Sequence, residues 1–348
     1  MGSNNQTQVK IFQESMKPEW DEYVDSHEAG TLFHKIAWKN VIEKTFSYRP
    51  LYLAHYHGTR ITGILPLFFV KSIFGGKSLI STPFGVYGGV LANNSQAEQA
   101  LIAAAKEFAL ETNASYIEFR HQKPIEFSEF HTNDQFYCTF IKDIGKTPEE
   151  NMALLPRESR RLVRRAIKHG LEAHITHEIR EFYHIYACSV KNLGTPVFPR
   201  SLFENIMAES ELKPEILLIS HKGKGVAGVL SFYYKNTVLP YYGGSLPSKR
   251  FLSPNNYMYY ALMNHASERG MTYFDFGRSK INTGAYHFKR HMGFEPSALS
   301  YQYLLINATS LPNNNPLNPK YRLAIGIWKR LPLTMTKILG PKLVKQFP

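Results

Sequence analysis

An internal repeat is the feature that most constrains how this chain of 348 residues folds. A short glycine-flanked stretch, 58–63, runs into an apolar, strand-like segment, and the stretch 223–228 runs into another. The outer glycines of the two stretches are offset by the same 165 residues. Because glycines before an apolar run are typical of a hairpin, each copy is predicted to begin with one. The chain is therefore interpreted as two copies of one unit, in halves of similar length.

Two more elements recur in the same order in both copies. An aromatic residue precedes a glycine pair at 87–89 and again at 242–244, with the spacing changed by ten residues. A helix-like segment then leads into a short apolar strand with the pattern Tyr-x-acid-Phe, at 116–119 and at 273–276. Three matched elements in one order argue against chance. Each copy is thus predicted to consist of a hairpin, a Gly-Gly turn, a helix and a buried strand.

The alternation of strands and helices predicts an α/β fold with mixed sheets, arranged as two tandem modules. The first helix is expected from Gln96 to Glu111, where Ala, Leu and Glu give strong helix propensity. The second is expected to begin at Ser253, with the serine hydroxyl as its cap and Pro254 in its first turn. Gly270 is expected to stop it.

Charge marks two segments outside the modules. The stretch 157–168 has six basic residues against one acid, and the tail after Glu295 has seven basic residues and no acid, so together they hold 12 of the 13 net positive charges. The rest of the chain is close to neutral. We predict a first module, a basic connecting helix, a second module and a basic amphipathic extension, with bounds 1–147, 148–170, 171–310 and 311–348.

Composition argues against several classes of protein. The longest apolar run is well short of the ~20 residues that a membrane-spanning helix needs, and the first ten residues lack the apolar stretch of a secretory signal. We therefore predict a cytoplasmic protein. Cys138 and Cys188 imply neither a disulfide framework nor a thiolate site. His287 and His291 are four residues apart but lack the acidic partner of a zinc motif, so we predict no metal.

The basic helix carries the clearest candidate binding residues. Arg157, Arg161, Arg164 and Lys168 follow i, i+4, i+7, i+11 spacing and so share one face. A row of guanidinium groups suits phosphate, which Arg binds through a planar fork. The expected ligands are a nucleotide-sugar pyrophosphate, a tRNA backbone or a lipid phosphate, bound by Arg160, Arg161 and Arg164. The alternative is a solvated basic face, which explains poorly why this helix differs from its near-neutral surroundings.

Other candidate residues are less well defined, and three of them have two interpretations each. His34 and Trp38 are four apart on a helix-like segment, and they either face a substrate groove or form a packing pair. Tyr242, with the glycine pair after it, either lets an acceptor approach the backbone or only turns a strand. Arg278 and Lys280 follow the last predicted strand of the second copy and are candidate anion contacts by position.

The C-terminal extension mixes apolar residues, including Trp328, with lysine and arginine. Basic amphipathic segments with tryptophan lie at bilayer interfaces, so the extension is interpreted as a peripheral contact with an anionic membrane, at the inner membrane face. The alternative is a helix packed back over the second module.

The second copy resembles a known family. The residues YFDFGRSK at 273–280, followed by GAYHFKRHMGF at 284–294, resemble the closing motif of FemAB-like proteins, which are double GNAT-like acyltransferases of the cell-envelope type. The linker PRESRRLVRRAIKHGLE and the loop 194–200 resemble the same group, in particular its relatives from exopolysaccharide and exosortase loci. The resemblance extends from about Phe33 to Leu305. It implies two tandem GNAT-like modules that transfer an aminoacyl or acyl group onto an amine, with the acceptor in a groove between the modules.

The resemblance also assigns candidate catalytic residues. Phe288-Lys289 matches the Phe-Lys pair at the family's transfer centre, where a fixed ammonium stabilises the developing oxyanion. The alternative is a surface lysine beside Arg290. Asp275 is a candidate by position and not by resemblance, since at the end of the predicted strand it either orients the attacking amine or holds a neighbouring arginine. Glu118 occupies the matching place in the first copy, and an acid repeated in both copies favours a structural ion pair.

These observations lead to one function with two alternatives. We predict an N-acyltransferase that acts on an anionic cell-envelope or exopolysaccharide precursor, with no bound cofactor and with aminoacyl-tRNA or an acyl-CoA as donor. Its single transfer centre is expected in the second module, because the first has no counterpart of Lys289. Gly223 to Gly225 lie in a predicted hairpin and not at a helix start, which disfavours acetyl-CoA. The alternatives are a non-catalytic protein that binds nucleic acid or an anionic lipid, and an acyl-CoA-dependent N-acetyltransferase.

Overall fold

The computed structural model describes residues 7–73, 75–311 and 319–348. Residues 1–6, which are part of the N-terminal stretch considered above, lie outside these ranges. Residues 312–318 of the predicted extension also lie outside them. The described strands are β1 (Thr7–Ile11), β2 (Arg49–His57), β3 (Arg60–Ser72), β4 (Gly76–Ile80), β5 (Leu91–Ala92), β6 (Tyr116–Phe119), β7 (Phe130–Asn133), β8 (Tyr137–Thr139), β9 (Ile141–Asp143), β10 (Leu171–Thr176), β11 (Glu215–His221), β12 (Lys224–Tyr234), β13 (Thr237–Ser245), β14 (Tyr273–Asp275), β15 (Ser279–Lys280), β16 (Ser297–Ala298) and β17 (Tyr301–Leu305).

Helices cover or connect these strands. The described α-helices are α1 (Lys17–Ser26), α2 (Ile36–Phe46), α3 (Ser95–Glu111), α4 (Pro148–Leu154), α5 (Arg157–Lys168), α6 (Ile179–Leu193), α7 (Arg200–Ala208), α8 (Pro254–Glu268), α9 (Gly284–His291), α10 (Pro319–Arg330) and α11 (Leu333–Val344). The two predicted helices are confirmed as α3 and α8, and Gly270 follows α8 with a φ of 76°, in the left-handed region that favours glycine.

The first of two compact units, here called unit 1, contains one large mixed sheet. Unit 1 consists of the described residues within Met1–Gln135 and Leu299–Asn314, together with Lys345–Pro348. The sheet follows the order β1-β2-β3-β4-β6-β17-β7, with β5 paired to β3. Alternate strand residues such as Leu79 and Ile117 pack with α3 in one apolar cluster, because successive strand side chains point to opposite faces.

Unit 2 has a second mixed sheet of the same kind. It consists of Phe136–Ala298 and the described residues within Asn315–Val344. Its main sheet follows the order β10-β11-β12-β13-β14-β9, and a small sheet follows β15-β8-β16. Val238 and Phe274 face α8 within the apolar cluster of this unit, as Leu79 and Ile117 face α3 in unit 1. The predicted α/β class with two related modules is therefore confirmed.

The repeat holds for three of its four predicted parts. The hairpins β2–β3 and β11–β12 turn at Gly58 and Gly223, with φ of 62° and 72°. The predicted Gly-Gly turns are wrong, because 242–244 lies inside β13 while 87–89 lies in an irregular segment between β4 and β5. A Cβ at Gly244 would lie 2.5 Å from the Cβ of Ser189 on α6. This glycine therefore serves helix packing and not a turn.

Each unit completes its sheet with a strand from beyond its own repeat. β17 follows the second copy in sequence but pairs antiparallel with β6 and β7 in unit 1. β9 follows the first copy but pairs antiparallel with β14 in unit 2. The observed boundaries therefore differ from the predicted 1–147 and 171–310. The alternation of apolar and polar residues along a strand predicts its buried face, but it does not predict which distant strand pairs with it. The sequence therefore could not reveal this exchange, in which β17 joins unit 1 and β9 joins unit 2.

The basic connecting helix is divided in two. The prediction of one helix over 148–170 is wrong, since α4 ends at Leu154 and α5 begins at Arg157. Pro156 disfavours the helical conformation at Leu155, which is extended with a ψ of 142°. The proline itself immediately precedes the first residue of α5.

The helices α10 and α11 of the extension belong to unit 2, whereas Lys345–Pro348 belong to unit 1. The indole Nε1 of Trp328 donates to the Thr195 carbonyl at 3.0 Å, and Lys191 Nζ donates to the Lys329 carbonyl at 3.0 Å. The alternative prediction was a helix packed back over the second module. It agrees with the side of this segment that carries Trp328. In the described part of the chain, no helix is both long enough and apolar enough to cross a membrane.

Candidate active site

An opening between two parallel strands defines the candidate site in unit 2. β13 and β14 pair over only two residues each, 237–238 with 273–274. β14 ends at Asp275, whereas β13 runs on to Ser245 beside β12. From Leu239 onward, the other edge of β13 has no neighbouring strand among the described residues. Because strand backbone groups need hydrogen-bond partners, this edge suits an extended ligand.

Asp275 shapes the turn that leads away from the opening. Its Oδ1 accepts a hydrogen bond from the Thr139 hydroxyl at 3.1 Å and another from the Gly277 amide at 2.7 Å. Gly277 has a φ of 61°, which lies in the left-handed region that glycine adopts without strain. The carboxylate is buried at the end of β14, so both bonds form in a region shielded from water.

Lys289 reaches the same turn from α9. Thr283 caps the start of this helix through its side chain, and Lys289 lies in its last turn with 9% of its surface exposed. Its Nζ donates to the carbonyl oxygens of Phe276 at 2.8 Å, Gly277 at 3.0 Å and, more weakly, Arg278 at 3.5 Å. The alternative of a surface lysine is therefore excluded, and two of the three ammonium donors are firmly engaged.

The charge state of Lys289 is finely balanced. Burial lowers the pKa of its ammonium to about 8, while the nearby Asp275 carboxylate acts to raise that pKa. The rings of Phe140 and Phe276 also approach, each with its centroid 5.4 Å from Nζ. At neutral pH the side chain is mostly a buried cation, as a group that stabilises negative charge must be.

Two further cations lie beside the turn. The Arg278 guanidinium carbon is 4.8 Å from the centroid of the Tyr137 ring, and Lys280 Nζ is 5.5 Å from the same centroid. Burial, together with the charge of Arg278, lowers the pKa of Lys280 to about 8. Asp275 and Lys289 thus bond backbone groups of one turn, and the Arg278 and Lys280 side chains that follow it lie against Tyr137. Tyr137 is an addition, and its strand pairing with β15 across 140 residues left no signal in the sequence.

Two of the predicted substrate contacts, Phe288 and Tyr242, pack against other aromatic side chains of unit 2. Phe288 is half-buried and contacts Tyr259 of α8, with ring centroids 5.6 Å apart. Tyr242 on β13 packs on Phe203 at 5.2 Å, and its buried hydroxyl has no hydrogen-bond partner among the described residues. Burial raises the pKa of the Tyr242 phenol well above its ordinary value, while Arg278 acts to lower it. Arg278 therefore lies within electrostatic range of this hydroxyl.

The basic helix supplies a separate concavity in unit 2. Arg160 and Arg164, one turn apart on α5, line a cavity of about 400 Å³ whose other walls include Glu149 and Tyr260. Arg161 instead extends away with 60% of its side chain exposed and forms a bidentate ion pair with Glu158. The geometry thus separates the three predicted phosphate contacts, since it brings two of them together and leaves the third on the outer surface.

Arg165 is a candidate that the face pattern missed. Its Nη2 donates to the Ser253 hydroxyl at 2.6 Å, directly before the first turn of α8. The predicted start of this helix is confirmed, because α8 begins at Pro254. The predicted cap by the Ser253 hydroxyl is wrong. Ser253 has a φ of 58°, and its side chain makes no capping bond to the helix. Arg165 belongs to the basic run 157–168. It does not follow the spacing of the predicted basic row, so no role was predicted for it.

Two predicted substrate contacts are corrected. His34 and Trp38 are almost completely buried within unit 1, with 1% and 0% of their surfaces exposed. The His34 ring bonds the Thr31 hydroxyl at 2.8 Å, and burial lowers the pKa of the imidazole to about 3. Trp38 packs edge-on against Phe33 at 5.0 Å. Both side chains are core residues, in agreement with the packing-pair interpretation, because apolar neighbours fill the space a ligand would need.

The acids of the two copies differ in function. Glu118 forms a buried ion pair with Arg120, with Oε1 2.7 Å from Nε, as the structural interpretation of the repeated acid expected. Asp275, at the matching place in unit 2, accepts a backbone amide instead. Across the described residues, no group of three or more His, Cys, Asp and Glu side chains is placed to hold a metal ion.

Comparison with a known domain family agrees with this location. Residues 155–290 match the model of the acetyltransferase (GNAT) domain. The matched range lies inside unit 2 and spans α5, the turn after Asp275 and Lys289. No curated protein matches the sequence. The predicted acyltransferase class and the GNAT-like resemblance are confirmed, which favours an enzyme over the non-catalytic alternative.

Solved structures share the fold over most of the chain. FemX superposes with a TM-score of 0.69 at 18% identity, over 91% of this chain and 100% of its own. The C-terminal domain of a putative lysylphosphatidylglycerol synthetase from Agrobacterium fabrum gives 0.57 at 12%, over 90% and 94%. A tandem GNAT protein from the clavulanic acid biosynthesis pathway gives 0.57 at 9%, over 88% and 100%. These likenesses establish the tandem fold.

Proposed function

We propose a specific reaction for this chain, an acyltransferase built on the tandem GNAT fold. It transfers an aminoacyl or acyl group onto the amine of a phosphate-bearing cell-envelope or exopolysaccharide precursor. The observation that carries the proposal is the opening between β13 and β14, which lies in the GNAT-matched region and has buried Lys289 beside it. The fold shared with FemX supports an aminoacyl donor.

The proposed chemistry is a single acyl transfer. The acceptor amine attacks the activated carbonyl carbon of the donor, a C–N bond forms, and the carbonyl oxygen becomes negatively charged. The bond from carbon to the donor's ester oxygen or thioester sulfur then breaks, and the amine proton leaves with the departing group or to water. The barrier lies in forming the charged intermediate, so a fixed cation beside the carbonyl oxygen accelerates the step.

Lys289 supplies that cation in the proposal. Its strong bonds to Phe276 and Gly277 carbonyls hold the ammonium in place, so little reorganisation accompanies catalysis. The third contact, to the Arg278 carbonyl at 3.5 Å, is the weakest and is the one that an oxyanion replaces. Asp275 positions the turn that carries these carbonyls and keeps the lysine protonated.

Anionic groups of the substrates have two places to bind in this proposal. Arg278 and Lys280 lie beside the turn and attract a phosphate or carboxylate close to the reacting carbonyl. Arg160 and Arg164 line the 400 Å³ cavity and offer two guanidinium forks to a more distant phosphate. Two separated cationic sites suit a substrate that carries a phosphodiester or pyrophosphate, and so favour nucleotide-linked or lipid-linked acceptors.

The decisive experiment measures transfer from two donors. Purified protein is incubated with a mixed pool of tRNA charged with radiolabelled amino acids, or with radiolabelled acetyl-CoA. UDP-linked muropeptides and UDP-linked amino sugars serve as acceptors. We expect label to move from aminoacyl-tRNA to an amine acceptor, and Lys289→Ala to lower the rate about 10²–10³-fold. Arg290→Ala is the matched control, because that neighbouring cation is exposed, and it should keep nearly full activity.

An acyl-CoA-dependent N-acetyltransferase is the second candidate function. The match of residues 155–290 to the acetyltransferase (GNAT) domain favours it. Transfer of label from acetyl-CoA alone would select this candidate. Absence of transfer from either donor, or a Lys289→Ala variant as active as the unaltered chain, would contradict the proposed transfer centre.

A further inference from the structure

The last helix turns apolar side chains outward. On α11, Met335, Ile338 and Leu339 have 44%, 67% and 39% of their surfaces exposed. These positions follow i, i+3, i+4 spacing and so form one face. The opposite face, with Thr336, Gly340 and Val344, is buried. This is the reverse of an ordinary surface helix, whose apolar stripe faces the core.

The buried face is fixed by close backbone packing. A Cβ at Gly340 would lie 2.4 Å from the Val197 carbonyl oxygen, so the helix approaches this backbone as closely as glycine allows. Lys337 Nζ also lies 5.0 Å from the centroid of the Tyr183 ring on α6. Rotation of α11 that turned Ile338 and Leu339 inward would break these contacts. The exposed apolar face is therefore a stable property of unit 2.

The preceding helix repeats the pattern. On α10, Leu323 and Ile327 have 75% and 52% of their surfaces exposed at i, i+4 spacing, while Trp328 is buried against the end of α6. A Cβ at Gly194 would lie 2.5 Å from Ile325, so α10 is also held by a close contact. Exposed single apolar residues are normal, but a row of three on α11, preceded by two on α10, is more than isolated exposure and indicates an interaction segment.

The charges of the segment identify its partner. Lys329, Arg330 and Lys342 are exposed on the same two helices, and Lys337 is half-buried. After Glu295 the sequence contains no aspartate or glutamate. Apolar side chains flanked only by cations fit the boundary of an anionic bilayer, where the chains enter the acyl region and the cations meet lipid phosphates. In a two-fold symmetric contact between copies of this chain, these like charges would face one another and repel.

We propose that α10 and α11 dock the protein on anionic membrane surfaces. Leu323, Ile327, Met335, Ile338 and Leu339 insert at the level of the lipid headgroups, and the neighbouring lysine and arginine side chains bind the lipid phosphates. The docking surface lies wholly in unit 2 and does not depend on the acyl transfer proposed above.

Flotation with vesicles tests the docking surface. The full chain is mixed with vesicles of phosphatidylcholine alone or with one third phosphatidylglycerol, at 50 mM and 500 mM salt. We expect at least tenfold stronger partitioning to the anionic vesicles at low salt, and a marked loss at high salt. Ile338→Ser with Leu339→Ser should weaken partitioning at least tenfold, because the apolar insertion is lost.

A matched control separates the docking face from general hydrophobicity. Leu110 on α3 of unit 1 has 53% of its surface exposed, and Leu110→Ser should leave flotation unchanged. Near-ultraviolet circular dichroism checks that each variant keeps its packed fold. Equal loss in the control and docking variants overturns the proposal, as does binding that ignores lipid charge. A concentration-dependent dimer in sedimentation, with no flotation, overturns it in favour of a second copy of the chain.

Discussion

Lys289 illustrates how the surroundings of one side chain change its electrostatic properties. In water its ammonium would be fully hydrated and would stabilise an oxyanion weakly. In unit 2 it is 9% exposed and held by carbonyl oxygens of the 276–278 turn, so its charge acts in a region with little water. The cost of that burial is visible in the lowered pKa of the ammonium, which reaches about 8.

This pKa predicts how activity depends on pH. The transfer rate should fall as pH rises above about 8, because Lys289 loses its proton there. Stability should change in the opposite direction. The pKa is lower in the folded chain than its ordinary value of 10.5, so between about pH 8 and 10.5 the unfolded chain binds more protons and the free energy of unfolding rises. A pH–rate profile and denaturant titrations at matched pH measure the two trends.

Two variants assign the falling limb of this profile to one lysine. Lys280 also has a pKa near 8, but Lys280→Arg stays charged and should leave the limb in place if Lys289 causes it. Asp275→Asn removes a charge that raises the pKa of Lys289, so the limb should move to lower pH. A limb that disappears in Lys280→Arg, or that stays fixed in Asp275→Asn, would show that Lys289 does not govern it.

Residue-level predictions were most specific where a motif placed several side chains along one short segment. Asp275, Arg278, Lys280 and Lys289 all belong to one continuous segment, and Asp275 and Lys289 both bond backbone groups of its turn. His34 failed because periodicity alone does not separate a groove-facing side chain from a buried one. Such a residue can be assigned only when its neighbours from distant elements are known.

At the scale of elements, the basic residues of α5 differ more in their surroundings than the sequence predicted. The row of basic residues was predicted to act as one face, but the helix begins only after Pro156 and packs on α8 through the Arg165–Ser253 bond. Arg160 and Arg164 consequently border the cavity, while Arg161 is paired with Glu158 on the surface. Neighbouring arginines on one turn thus have different surroundings.

Matched substitutions on α5 test this difference. Arg160→Ala and Arg164→Ala should each raise KM for the phosphate-bearing substrate about 10- to 100-fold with kcat nearly unchanged, as expected for a lost charge-assisted hydrogen bond. Arg161→Ala should keep KM within about twofold. Steady-state kinetics of the three variants provide the measurement. Equal effects at all three positions would instead indicate a diffuse electrostatic field, and no effect at any of them would remove the cavity as a binding site.

The boundaries of elements were predictable where local chemistry determines them. Gly58 and Gly223 ended strands, and Gly270 followed a helix, because each adopts a positive φ that other residues rarely adopt. The break at Pro156 was also readable in principle, since the residue before a proline disfavours helix. The Gly-Gly match misled because glycine serves close packing as well as turns, and Gly244 lies against α6.

At the scale of the whole molecule, the two units are related copies that each use a strand from outside their own repeat. β17 lies between β6 and β7 in the sheet of unit 1, although about 180 residues separate it from β6 in sequence. No local pattern identifies such a partner, which is why the predicted boundary after residue 147 differs from the observed one. The fold class and the duplication, by contrast, followed from repeated local elements.

A spliced chain tests the exchange. Asn133 of β7 and Tyr301 of β17 are register partners, so joining residue 135 directly to residue 299 leaves a four-residue hairpin loop between these strands. We expect residues 1–135 joined to 299–311 to be soluble and to unfold cooperatively. The fragment 1–147 should aggregate, because its β6 edge stays unpaired. Circular dichroism melting and sedimentation of both chains provide the comparison, and a well-folded 1–147 fragment would contradict the exchange.

The exchange of strands also determines when unit 1 can complete its sheet during synthesis. Once β6 has left the ribosome, its free edge must wait for β17 to be made, which takes roughly 10–40 s at ordinary elongation rates. During that interval the nascent first sheet carries an open strand edge and an incompletely covered apolar face. A codon change that slowed elongation after residue 119 would lengthen this exposure without altering a single side chain. The yield of folded enzyme in a cell is therefore expected to depend on translation speed and on chaperones that shield the waiting edge.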